Sequence, residues 1–563
     1  MYKNISMIFG KWTSGLLIVY FLVNLSSCSS DCRQLDALFD QVAGKETISI
    51  ADWDMMTGNL INNRVVYRDC APGLYNSDDL NNEYILARIV SAASKNNLNT
   101  GLSRQLTLSL LNEHVNNHIL RGDSYQQTQS RFEDFSNKYR DLVSSGYPEL
   151  YSGNEYGSEL FNEIYDSHIV SPRLYLERSG SMVFYDAGNR NFVTAMRQII
   201  NRFPQYSMDK KLIYVVADRV AHWDIPFSEF LQTSNIFRET QGMVNSSWTD
   251  FPAIFRDILN NTRENQVSIL FSDMIYDVKT LSPAISPEGF ANQAQEMTHA
   301  IFNSHGDDFG VIIVKMNGDY DGIYYPPNSD QFPYKGNRPY YISLIGKTAT
   351  LHKLMTRETY SAVREFSTLP GYETSHAMYR MQQSPWYSVL VPHGKNSRYV
   401  QPARASLQEG RIDQLENARV HEREGNFSFV IAADLSALWF DESFKTDSRN
   451  YRINSRDDFY IDEISPLRQS DISSAAMRYA GNATHLIVVK TDQLNNPRQE
   501  INIEIINEFP QWIKNTSTLD DRSGDAPGFA VTTFGFEQMA RGFYNAFYQA
   551  DGNSIISFNI VLN

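Results

Sequence analysis

The chain has 563 residues, enough for about three or four domains at ~100–200 residues each. Hydrophobic residues make up 42% and aromatics 13%, which calls for packed cores rather than disorder. A net charge of −15 excludes broad electrostatic binding of nucleic acid, which needs a basic face.

Lys3 and Lys11 give the N-terminus a positive start, and Leu16–Leu25, LLIVYFLVNL, is an apolar run. The run is too short for an ordinary membrane span of ~20 residues and has the layout of a secretory signal. Leu25-Ser26-Ser27-Cys28, which follows, resembles the lipobox of bacterial lipoproteins. The resemblance implies cleavage before Cys28, lipidation of its thiol and a lipid anchor in the cell envelope. The expected place is the outer membrane, on its periplasmic or its outer surface. A non-cleaved anchor is the other reading, and either one carries the remainder out of the cytoplasm. Cys32 and Cys70 then remain, either as a disulfide or as two free thiols.

Residues 29–165 read as mainly helical, with Leu108, Leu111, Val115 and Ile119 at helical spacing. Residues 121–158, rich in Ser, Asn, Tyr and Gly, read as loops around another short helix. From about 166 the pattern becomes an alternation of strands and helices. Strands are expected at Leu174–Leu176, Leu212–Ala217, Val267–Phe271, Val311–Val314 and Tyr340–Ile345. Helical stripes lie between them at Phe192–Phe203, Phe251–Leu259 and Phe290–Ile301, and a last helix is expected from about Thr350 to Phe366. Apolar strands alternating with amphipathic helices imply a doubly wound, mostly parallel, Rossmann-like sheet over 166–366. Residues 367–563 read as β-rich and possibly a sandwich. Strands are expected at Phe427–Ala432, Thr484–Lys490, Ile501–Ile506 and Ser554–Leu562, with a short helix near Phe536–Phe547.

Ligands of open parallel sheets sit beyond the carboxyl ends of strands. Three polar groups fall there: Glu177-x-Ser179-x-Ser181, Thr249, and Asp273 in Phe271-Ser272-Asp273. Oxygen ligands from three loops are what Mg²⁺ or Mn²⁺ takes. LYLERSGSM, TDFPAIFRDIL and VSILFSD, in that order, resemble the von Willebrand factor A domain. That family carries a metal-ion-dependent adhesion site written Asp-x-Ser-x-Ser with a distant Thr and a distant Asp. The resemblance implies a metal site of Glu177, Ser179, Ser181, Thr249 and Asp273, with an open position that a carboxylate of a protein partner completes. Glu177 departs from the family's Asp, and its extra methylene reaches about 1 Å farther. Glu177 then ligates directly, or acts through water, or the fold is kept without the metal. Without a metal, Ser179 and Ser181 cap the turn that follows them and Asp273 caps its own loop.

Other motifs carry less. Gly346-Lys347-Thr348 lacks the upstream glycine of a phosphate loop, Tyr341 standing there. His114 and His118 read as satisfied or solvated histidines. Asn317–Gly322 reads as a hairpin turn, and Asp457, Asp458, Asp462 and Glu463 as a solvated acidic face. Tyr324-Tyr325-Pro326-Pro327 and the stretch Tyr334–Tyr341 form a tyrosine-rich patch, read either as a partner surface or as packing. With no Gly-x-Ser-x-Gly elbow or isolated catalytic thiol, the chain reads as a binding protein rather than an enzyme. Two alternatives stand beside this: a metal-free scaffold, and an envelope hydrolase with its site in the C-terminal region.

Overall fold

The computed structural model describes residues 111–146 except 113, 158–204, 212–276, 286–305, 308–326, 330–381, 385–391, 400–404, 411–468, and 472–563 except 473 and 549–551. The apolar run at 16–25, Cys28, Cys32 and Cys70 lie outside these residues. The chain divides into two compact units, 1–168 and 169–563. Among the described residues no helix is long and apolar enough to cross a membrane.

In the first unit, residues expected as loops form one 22-residue helix, α1 (Tyr125–Gly146), followed by α2 (Ser158–His168). Phe132, Phe161 and Tyr165 are buried here, and their rings pack in one cluster that also takes the ring of Tyr125. An apolar residue every third or fourth position outweighs the polar composition that suggested loops. His114 stacks on Phe135 at 4.1 Å between ring centroids, and His118 Nδ1 lies 2.7 Å from Asp123 Oδ2. Both imidazoles are satisfied core groups. Burial holds the pKa of His114 down to about 3.

The second unit is built on a mixed seven-stranded sheet in the order β3-β2-β1-β4-β6-β5-β7. Its strands are β1 (Ser171–Glu177), β2 (Ile213–Val216), β3 (Val220–His222), β4 (Gln266–Ser272), β5 (Phe309–Tyr324), β6 (Phe332–Lys347) and β7 (Tyr372–Tyr379). Only β1–β2 and β1–β4 run parallel; the other pairings are antiparallel. The expectation of a mostly parallel sheet is therefore corrected. VIIVKM and YYISLI are the two arms of one hairpin, each 16 residues long and in continuous register from Phe309↔Lys347 to Tyr324↔Phe332. Asn317–Gly322, expected as a turn, lies inside β5, and the chain reverses after Tyr324.

Helices cover both faces. α3 (Asn191–Asn201) packs with Leu174, Leu176, Ile269 and Phe271 on one face. α4 (Phe251–Asn261) and α5 (Pro287–Asn303) pack with Tyr175, Val216 and Leu270 on the other. Asp250 caps α4 by accepting the Ala253 N–H, and Ser286 caps α5 from Gly289, each with a proline in the first turn where no donor is lost. The helix expected over 350–366 is broken: α6 (Thr348–Thr356) ends at Arg357, and short turns follow.

The C-terminal region is β-rich. One sheet orders β13 (Tyr460–Pro466), β14 (His485–Thr491), β11 (Phe427–Ala433) and β8 (Tyr387–Val389). A second orders β12 (Tyr451–Asn454), β15 (Gln499–Ile506), β18 (Ser554–Leu562), β10 (Gln414–Glu416) and β9 (Gln401–Pro402), and the short β16 (Ser517–Thr518) and β17 (Thr533–Phe534) pair with each other. Phe429 and Ile431 of the first sheet and Ile501, Ile503, Phe558 and Ile560 of the second join one core, the layering of a sandwich. That core is continuous with the α3 face of the large sheet, and helix α7 (Phe536–Tyr548) packs beside α5 on the opposite face. Elements on both sides of residue 366 thus share a sheet and a core.

Candidate functional site

β1 and β4 are parallel neighbours, with Leu176 opposite Phe271. Their carboxyl ends therefore set Glu177 beside Ser272 and Asp273. The loop after β1 carries Ser179 and Ser181, and the loop entering α4 carries Thr249. All five residues expected from the sequence meet here, and all are buried, with relative exposures between 1% and 8%.

Two hydrogen-bonded groups, joined through Ser179, make up the site. Glu177 Oε1 accepts from Thr249 Oγ1 at 2.7 Å, and Glu177 Oε2 accepts from Ser272 Oγ. Ser181 Oγ donates to Asp273 Oδ2 at 2.6 Å and lies 3.1 Å from Ser179 Oγ. The long Glu177 side chain is thus held sideways by Thr249 and Ser272, while Asp273 faces the serine pair. Ser272 is the member that sequence reasoning missed. Its signal was present in its place as the last residue of a buried strand, paired in register beside the first acid.

The backbone after β4 is tightly shaped. Met274 is buried and sits at φ 56°, in the left-handed region that costs a non-glycine residue about 1–3 kcal/mol. The turn is held by Met274 N–H donating to Ser272 Oγ at 2.8 Å and Ile275 N–H to Asp273 Oδ1 at 3.2 Å. This strain aims the Asp273 carboxylate back at the first loop.

Two buried carboxylates so placed cannot both ionise cheaply. Burial, and then the charge of Asp273, push Glu177 up to about 8, against the pull of hydrogen bonds from Ser272, Thr249 and Ser179. Burial also raises Asp273, while its bonds from Ser181 and Ile275 and the charge of Arg338 oppose the rise. Near neutral pH the pair holds a proton. Among the described residues no group of three or more His, Cys, Asp and Glu side chains converges. The oxygens here come from two carboxylates, three serines and one threonine.

The other candidates resolve differently. In the tyrosine-rich patch Tyr324, Tyr340 and Tyr341 are fully buried, so of the two readings packing holds for them; Tyr325 alone of these four is exposed. Tyr324 donates to Asp521 Oδ2 at 2.7 Å and receives Arg338 Nη2 at 3.2 Å, and Tyr341 stacks on Phe536. In the acidic cluster Asp458, Asp462 and Glu463 are solvated, but Asp457 is buried. Its carboxylate accepts from Asn496 N, Asn496 Nδ2 and Gln499 Nε2 at 2.9, 2.7 and 2.7 Å. It staples a loop.

Compared with known protein families, with curated proteins and with solved structures, the chain matches none.

Proposed function

We propose that this chain is a lipid-anchored envelope protein that binds a protein partner through a von Willebrand factor A-like region, with a divalent cation at the Glu177–Asp273 site. The anchor rests on the N-terminal apolar run and Leu25-Ser26-Ser27-Cys28. The A-like region rests on the run β3-β2-β1-β4, which carries the site at the carboxyl ends of parallel strands. The antiparallel β6-β5-β7 extension lies outside that resemblance.

One observation carries the reading: Glu177, Ser179, Ser181, Thr249 and Asp273, from three separate stretches of the chain, form a single buried oxygen cluster with two carboxylates in it. Uncharged core residues would pack there at lower cost, because unpaired buried carboxylates cost several kcal/mol each, of order. The donor set fits Mg²⁺ or Mn²⁺, hard ions that take carboxylate and hydroxyl oxygens. A cation bound there supplies positive charge to the acid pair and an open position for a partner's carboxylate. Asp273, Ser181 and Ser179 would hold such a cation, and Glu177, held by Thr249 and Ser272, would balance its charge. No bond of the partner is made or broken in this role.

Calorimetric titration of Mn²⁺ into the protein lacking residues 1–28 tests the reading, with Asp273→Ala alongside. The expected result is saturable binding that is lost in the variant, tightens with pH up to about 8, and releases a proton per ion. Absence of binding heat, together with an unchanged thermal midpoint in excess Mn²⁺, refutes the cation and leaves a metal-free scaffold.

A further inference from the structure

The ligating oxygens are enclosed, so whatever binds them has to enter past a surface group. Gly180, between the two serines, marks where. Its N–H donates to Ser246 O at 2.8 Å. A β-carbon placed on Gly180 would lie 3.1 and 3.2 Å from Cε2 and Cδ2 of Tyr325. Gly180 does not adopt a left-handed φ, so its backbone makes no demand for glycine. The demand comes from the Tyr325 ring, which lies where a side chain would be.

Tyr325 is 44% exposed and follows directly on the last residue of β5. Its neighbour Tyr324 is buried and held by Asp521 and Arg338. Two more contacts tie the arm to the segment after the site loop. Gly322 lies directly against the Phe184 ring, and Tyr185 Oη donates to Pro339 O at 2.6 Å. The arm thus presents one solvent-facing ring to the loop that carries Ser179 and Ser181.

We propose that Tyr325 is the access residue of the site, its ring forming the movable side of an entrance whose fixed side is the Ser246 segment. Exposed side chains change rotamer on the picosecond-to-nanosecond scale, so the ring can swing aside without backbone motion. The opening suits a small hard cation or a single carboxylate. The role as an entrance for ligands rests on the binding function proposed above; the covering of the site by the ring does not.

Carboxyl footprinting tests this without any cation. The full chain is treated with a carbodiimide and glycinamide, and labelling at Glu177 and Asp273 is followed by mass spectrometry. Tyr325→Ala is expected to label both at least about tenfold faster, the sign of a lowered local opening cost. Tyr325→Phe is expected to match the wild type, and Gly180→Ala, which displaces the ring, to move in the direction of Tyr325→Ala. Buried Asp457 and Asp521 serve as internal controls. Labelling of Tyr325→Ala at the wild-type rate overturns the proposal, and so does a matching acceleration at Asp457 and Asp521, which would mean general loosening. Faster labelling in a protein that binds no Mn²⁺ keeps the covering ring and removes the function proposed above.

Discussion

Glu177→Gln isolates the buried acid pair. In the folded protein Glu177 keeps its proton up to about pH 8, whereas its ordinary value is 4.5. Below 4.5 both folded and unfolded chains hold the proton, and this contribution to stability is complete. Between 4.5 and 8 only the unfolded chain ionises, so stability falls by about 1.4 kcal/mol per pH unit until the folded group titrates as well. Over 3.5 units, 8 minus 4.5, the loss reaches at most about 5 kcal/mol. Glutamine keeps the volume and one accepting oxygen, cannot ionise, and leaves one of the Thr249 and Ser272 hydroxyls to re-aim, at a cost of about 1–2 kcal/mol. Urea unfolding from pH 5 to pH 8.5, without divalent cation, measures both proteins. The variant should be the less stable at pH 5 and gain on the wild type steadily as pH rises, overtaking it before about pH 6. Asp273, which is also raised, leaves a smaller slope in the variant. Parallel pH profiles for the two proteins would refute a protonated Glu177 and the cation–proton exchange built on it.

Three other substitutions probe the surroundings. Asp457→Ala removes a carboxylate held by three donors and should cost about 3 kcal/mol in urea unfolding. Those donors hold Asp457 below its ordinary 3.8, so its contribution is present above that value and fades as pH falls through the folded one. Gly322→Ala drives a methyl into the Phe184 ring and should lower stability by about 1–3 kcal/mol while disturbing the site loop beyond it, seen as faster amide exchange over 178–185. Burial raises the Asp521 carboxyl to about 6, against the Tyr324 hydrogen bond and the charge of Arg338; Arg338→Met strips that charge and should cost about 3–5 kcal/mol, with the Asp521 titration moving further upward in carboxyl NMR.

The strand ends that make the site were readable because local signals agree there. LYLE and VSILFS are short apolar runs that end in acids or hydroxyls, and in a parallel pair such ends lie side by side. The polarity of β6 and β5 was not readable. VIIV and YYISLI are buried on both faces, so they lack the alternation that distinguishes an antiparallel strand, and the turn residues of their hairpin lie well away from either apolar run. Strands of two to four residues, such as β3, β9, β10 and β12, carry too few side chains for a period to show. INIEII was legible because its burial does alternate from residue to residue. Asp457 looked solvated among acidic neighbours, since the amides that enclose it come from Asn496 and Gln499, some forty residues on. Contacts at that separation leave no mark in local composition.

β18 lies inside the five-stranded sheet, bonded to β15 on one side and to β10 on the other. It is synthesised after both of them. At about 5–20 residues per second, an interval on the order of ten seconds separates the making of β10 from that of β18. Through that time the inner faces of β15 and β10 have no strand between them, and Ile501, Ile503 and Ile505 are left without Ile556, Phe558 and Ile560. This sheet therefore cannot close until β18 has been made. Until Leu562 is in place, the facing edges of β15 and β10 are open templates for a strand of any other chain.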